Sequence, residues 1–166
     1  AREALPRELP YKDAVYNVSR VGLLPAAMNP MVLAQAAQQG KSGVAAAPAQ
    51  DADTCACSGG TRESAFADEL AAAQAQSNAL LFTATQDKLH QPYRGALMPP
   101  STELIALFRS KGYAAAVSGA GPCVLVLHYG NAREAIDQIA SEQLASGHWR
   151  VLHLPINTAG VEIERR

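Results

Sequence analysis

The chain has 166 residues, 48% of them hydrophobic but only 5% aromatic, and a formal net charge of −1. That length suits one domain, 1–166, with a real core, and the alanine-rich apolar content predicts an aliphatic, finely packed one. Near-neutral charge without a basic run argues against a nucleic-acid surface, and no apolar run reaches the roughly 18 residues of a membrane span.

The first residues, Ala1-Arg2-Glu3-Ala4-Leu5-Pro6, form neither a signal peptide nor a methionine start, as expected of a chain cut from a longer protein or of a processed terminus. A first helix is predicted over 13–28, with Asp13 as N-cap and Val15, Val18, Gly22 and Leu23 at helical spacing. Asn29-Pro30 interrupts it. From 39 to 62 the composition shifts to Gly, Ser, Ala, Pro and Asp, a low-complexity insertion that reads either as a partner-binding arm or as a tolerated loop. It holds Cys55 and Cys57, which with Cys123 make an odd number and no disulfide framework. No second Cys or His pair stands at zinc spacing, so no metal site is expected and the thiols read as reduced, in a cytoplasmic protein.

Helical pattern resumes near Ser64 and is predicted to run, with one break, to Gln91, where Pro92 ends it. Ser101 reads as the N-cap of a helix from Thr102 to Ser110, with Leu104, Leu107 and Phe108 inward and Gly112 just past its end. Strand Tyr113–Val117, a glycine turn, strand Val124–His128, a helix over Ala132–Leu144, and strands Trp149–Leu154 and Gly160–Glu164 complete the chain. The economical packing of that order is an antiparallel sheet with helices on one face, so the predicted class is α+β.

Three places carry chemistry. Asn17 and Arg20, at i and i+3, emerge on one side of the first helix, while Val15, Val18 and Gly22 point largely elsewhere. Arg20 is either a fork for a carboxylate or an exposed, structurally paired arginine. Arg94 follows Pro92 on a short stiff loop, a good platform for a ligand contact. The turn Ser118-Gly119-Ala120-Gly121 either offers main-chain amides to a ligand or only satisfies a tight strand connection. His90 is better explained as a helix C-terminal cap than as a general base, and its role stays open.

Asn17-Val18-Ser19-Arg20, then His90-Gln91-Pro92-Tyr93-Arg94-Gly95-Ala96-Leu97-Met98-Pro99, then the glycine turn running into Pro122-Cys123-Val124-Leu125-Val126-Leu127, resemble in that order the C-terminal half of the homoserine kinases, in the GHMP small-molecule kinase superfamily. The resemblance implies the α+β C-terminal domain of those kinases. It implies that Arg20 and Arg94 hold the substrate carboxylate, with Asn17 in support, and that Ser118, Gly119, Ala120 and Gly121 line the cleft. The substrate would be L-homoserine, phosphorylated by ATP with Mg²⁺ on the way to threonine. The glycine-rich phosphate loop of such kinases has no counterpart here, so the ATP-binding N-terminal half is expected to be absent, to be this chain's own partner, and to carry the catalytic groups. The segment alone is then expected to be inactive and to self-associate through the face it leaves bare. Two alternatives stay open: another GHMP kinase, or a stand-alone, non-catalytic α+β ligand-binding module.

Overall fold

The computed structural model describes residues 3–29, 61–155 and 163. The chain divides into two compact units, residues 1–130 and 131–166. The first opens with helix α1 (Tyr11–Val21) and a short α2 (Leu24–Ala27). Helix α3 (Thr61–Ala84) follows, then α4 (Gln91–Arg94), a 3-10 turn (Gly95–Leu97) and α5 (Pro99–Ser110). Strands β1 (Ala114–Val117) and β2 (Val124–Leu127) pair antiparallel, with Ala114 opposite Leu127 and Val117 opposite Val124. Helices α3 and α5 both lie against β1, and the class is α+β as expected. The second unit holds α6 (Arg133–Ile139) and α7 (Ser141–Ala145), and in it His153 Nε2 meets Asp137 Oδ1 at 3.0 Å.

Alanines dominate the buried apolar side chains, as the composition predicts. Ala27, Leu81 and Ala114 are buried together, with Leu80, Phe82, Leu127 and Tyr129 packed around them. Leu104, Ile105 and Phe108 form the inner face of α5, and the Phe108 ring meets Tyr113 edge-on at 6.3 Å. Small side chains let helix and strand backbones approach closely, and polar groups then join them. Arg109 is the clearest case. Its guanidinium donates to the Phe82 carbonyl at 2.6 Å, the Ala115 carbonyl at 3.0 Å and Thr85 Oγ1 at 3.2 Å, and stacks on the Phe82 ring. It therefore serves a carbonyl in the last turn of α3, which otherwise accepts only a long 3.5 Å bond from Thr85 Oγ1, and ties it to β1. Asn78, further back on α3, accepts the Tyr129 N–H at 2.8 Å and donates to the Tyr129 carbonyl at 3.1 Å, as a neighbouring strand would.

Several predicted boundaries move. Helix α1 begins at Tyr11 with Pro10 as N-cap, so Asp13 sits inside the first turn rather than capping it. Helix α3 stops at Ala84 instead of reaching Gln91; His90 is the N-cap residue of α4 and Pro92 lies in that helix's first turn, where a missing N–H costs nothing. Helix α5 likewise starts at Pro99 with Met98 as cap, which places Ser101 within the helix, buried, donating to the Pro122 carbonyl at 2.6 Å. The predicted 132–144 helix breaks at Ala140 into α6 and α7. Residues 149–155 form no strand: Val151–Pro155 are exposed and enter no strand pairing among the described residues. Residues 39–60 of the low-complexity insertion, with Cys55 and Cys57, and the closing strand apart from Ile163 lie outside the described residues; Thr61 and Arg62, expected in the insertion, open α3 instead.

The turn between β1 and β2 is closed by the Ser118 N–H to Cys123 carbonyl bond at 2.9 Å and the Gly121 N–H to Ser118 carbonyl bond at 3.1 Å. Gly119 (φ +62°) and Gly121 (φ +84°) both occupy the left-handed region. They differ in space: a Cβ on Gly119 meets nothing within 4 Å, whereas one on Gly121 would sit 2.5 Å from Met98 Sδ. Gly119→Ala should therefore cost about 1 kcal/mol, from backbone strain alone. Gly121→Ala should cost about 2–3 kcal/mol, with part recovered by adding Met98→Ala. Urea unfolding of the three variants measures the difference.

Candidate functional site

The polar side of α1 meets the turn that follows α3. The Tyr16 hydroxyl donates to Gln86 Oε1, and its ring carries the Arg20 guanidinium at 4.3 Å and Lys88 Nζ at 4.2 Å. Asn17 spends both ends of its amide on the same turn: Nδ2 donates to Asp87 Oδ1 at 2.6 Å, and Oδ1 accepts the Lys88 N–H at 2.9 Å. Asn17 is thus a clamp between elements.

Asp87, for which the sequence leaves open a pairing with His90 or near Lys88, is the hub of this turn. Its carboxylate accepts from the backbone N–H of Leu89 (2.7 Å), His90 (3.0 Å) and Gln91 (2.8 Å), so it serves the N–H groups at the start of α4 that no helical carbonyl can reach. An aspartate three to four residues ahead of a proline-started helix is the signal that could have shown it. Burial alone would raise the Asp87 pKa. The bonds from Asn17, Gln91 and Leu89, with the His90 ring 3.6 Å away, outweigh that and hold it below the ordinary aspartate value.

A lowered folded pKa means that, as pH falls, the unfolded chain binds the proton first. The stability Asp87 confers is present above its unfolded value and lost as pH drops through the lower folded one. The difference in unfolding free energy between the wild type and Asp87→Asn should accordingly be widest above about pH 5 and shrink steadily in acid. Chemical denaturation at a series of pH values tests this; a difference that stays constant with pH would contradict it.

Around this hub lies a cavity of about 380 Å³, bounded by Asp87, His90, Gln91, Arg94, Met98 and Gly119. That size suits a small organic molecule. Gln91 Oε1 accepts the Val117 N–H at 3.2 Å, joining the cavity wall to the end of β1. The Asp87 charge is already engaged by N–H donors. Arg94 is different: its Nε is buried without a hydrogen-bond partner, and no carboxylate among the described residues pairs with its guanidinium. A cation left in this state favours an anionic guest able to accept two parallel bonds.

The predicted site residues separate accordingly. Arg94 and Gly119 share the cavity, and Asn17 reaches it only through Asp87. Arg20 is not among the residues bounding it; the guanidinium lies on Tyr16, its Nε also buried and unbonded. Of the glycine-turn amides, that of Gly121 is consumed within the turn by the Ser118 carbonyl and that of Ser118 by Cys123, so neither is free for a ligand. Those of Gly119 and Ala120 meet no acceptor among the described residues. His90, expected to cap a helix C-terminus, stands at an N-terminus instead, beside Asp87.

Comparison with known proteins bears on what the cavity serves. The sequence model of the family described as "GHMP kinases C terminal" matches residues 64–145. A homoserine kinase of Clavibacter michiganensis subsp. michiganensis is 32% identical over 166 residues, covering 99% of this chain and 37% of that protein. One from Leifsonia xyli subsp. xyli is 33% identical over 167 residues, with the same coverage. One from Corynebacterium aurimucosum reaches 45% identity over 86 residues, 52% of this chain and 26% of its own length. The chain thus spans little more than a third of the first two relatives.

Proposed function

Since this chain belongs to the GHMP kinases, as part of their C-terminal half, we propose that it is the substrate-recognition half of a homoserine kinase, which moves the γ-phosphoryl group of ATP to the side-chain hydroxyl of L-homoserine. The observation that carries the reading is Arg94, a buried-Nε guanidinium without an acidic partner on a cavity of small-molecule size. L-Homoserine presents a carboxylate that such a fork can bind through two charge-assisted bonds. Gly119, which bounds the same cavity, offers a further N–H donor, and Ala120 follows it in the turn. Asp87, Asn17 and Gln91 set the position of α4, and so of Arg94, without needing to touch the substrate. Arg20 supports the site from α1, across the Tyr16 ring.

Magnesium–ATP is assigned to the part of the relatives that this chain does not span. Among the described residues no three His, Cys, Asp or Glu side chains stand close enough to hold a metal ion, and no phosphate loop opens a helix. Phosphoryl transfer depends on such positioning and charge neutralisation, so the segment by itself is expected to bind substrate but not to turn it over. No helix among the described residues is long and apolar enough to cross a membrane.

Calorimetric titration of the chain with L-homoserine tests the reading. Heat of binding that disappears in Arg94→Ala and persists in a control at exposed Lys111 supports it; equal heats in both variants would remove Arg94 from the site. L-Homoserine amide, which keeps the hydroxyl but lacks the carboxylate, should bind at least about 30-fold more weakly, because the guanidinium is then left unpaired.

A further inference from the structure

Helix α1 is amphipathic, but it is mounted with its polar side inward. At 100° per residue, Asp13, Tyr16 and Arg20 fall on one side, with Asn17 beside them; Asp13, Tyr16 and Asn17 meet the 86–88 turn, and Arg20 lies on the Tyr16 ring. Tyr11, Val15 and Val18 fall on the opposite side, a stripe continued by Gly22. They are exposed by 84%, 47% and 74%, and Val21 beside them by 61%. No residue of α1 is buried. The spacing of Val15 and Val18 predicts burial, and the structure turns both outward, since the inner side is held by hydrogen bonds and not by apolar contact.

A two-turn apolar stripe facing water costs free energy that a covering surface would return. The stripe is too small for a stable interface between free molecules, which needs roughly 800 Å² from each partner. Within one polypeptide, effective concentration replaces area, and a joint of this size suffices. The relatives supply the missing body: 99% of this chain matches only 37% of the Clavibacter michiganensis protein, so most of that protein lies outside the match. From these observations we infer that the Tyr11–Val15–Val18 stripe is the surface against which the remaining, kinase half of the polypeptide docks, through an apolar patch of its own. The inference rests on the reading of the chain as one half of a kinase. It gives α1 two faces with two duties: the outer face seats the partner half, and the inner one clamps the turn that carries Asp87.

The test joins the unmatched part of the Clavibacter michiganensis kinase ahead of Ala1 and measures hydroxyl-radical labelling of Tyr11, with the unjoined chain as reference. Joining the Leifsonia xyli counterpart repeats it with an independent partner. Labelling of Tyr11 should fall at least about 5-fold in both joined proteins, and Val18→Glu should restore most of it while leaving the helical circular dichroism of the free chain unchanged. Equal labelling in joined and unjoined chains overturns the inference. So does a dimer of the joined proteins, detected by sedimentation, that Val18→Glu dissociates, because the occupant is then a second copy. Labelling does not depend on homoserine or on turnover, so protection of Tyr11 without homoserine phosphorylation would sink the substrate reading and leave the docking surface standing.

Discussion

Arg94→Ala in the intact kinase is expected to raise KM for L-homoserine about 100-fold, roughly 2.7 kcal/mol of lost binding, with nucleotide affinity nearly unchanged. The asymmetry follows from the geometry. Arg94 bounds the cavity, its Nε has no hydrogen-bond partner and no carboxylate among the described residues pairs with it, so its removal takes away the counter-charge without opening a structural ion pair among them. Arg94→Lys separates charge from shape: the ammonium keeps the charge but cannot present two parallel N–H groups, so it should recover only part of the loss. If homoserine and ATP affinities fell together, Arg94 would be holding the fold and not the substrate, and the cavity would lose its assignment. Steady-state kinetics with each substrate varied in turn decides between the two.

Arg109→Met should cause the largest loss of stability of any single change considered, about 3 kcal/mol, lowering the melting temperature by roughly 6–12 °C. Methionine keeps much of the apolar stem that packs on Phe82, so the loss isolates the guanidinium bonds. Two carbonyls, of Phe82 and Ala115, would be left without this donor inside the protein. Burial lowers the Arg109 pKa somewhat, opposed by the nearby Tyr16, but an arginine starts so high that it stays charged at any ordinary pH. Its contribution should therefore be flat between pH 5 and pH 9, unlike that of Asp87. A thermal melt of Arg109→Met within about 2 °C of the wild type would contradict the staple role.

What the sequence made legible was what local chemistry determines. The glycine turn was legible because Gly119 and Gly121 take up a backbone conformation other residues avoid, and the hairpin it joins was legible from two short apolar runs on either side. Arg94 stood out as a charge on a stiff loop. The shifted starts of α4 and α5 share one cause, a proline that opens a helix where the sequence suggests an end or a later cap. Pro92 and Pro99 start helices here, so His90 and Ser101 changed places relative to their caps. Arg109 and Asp87 were illegible for another reason. Arg109 bonds residues 27 positions away, and the Asp87 partner Asn17 is 70 positions away, distances that no periodicity encodes. The outward turn of Val15 and Val18 was hidden in the same way, because which side of α1 faces in is decided by Gln86 and Asp87.

The Asn78 amide stands in for a strand beside Tyr129, and this makes Tyr129 a reporter for something other than the hairpin. Its amide proton is held by a helix side chain, so it can exchange with solvent only when α3 lifts away or the whole unit opens. The amides of Ala116 and Leu125, within the hairpin, answer to the pairing of β1 with β2 instead. If helix and hairpin open together, the three protons exchange at one rate; if the hairpin frays first, Tyr129 outlasts the other two. Hydrogen exchange at three backbone positions thus reads out whether the hairpin can loosen before α3 lifts away from it.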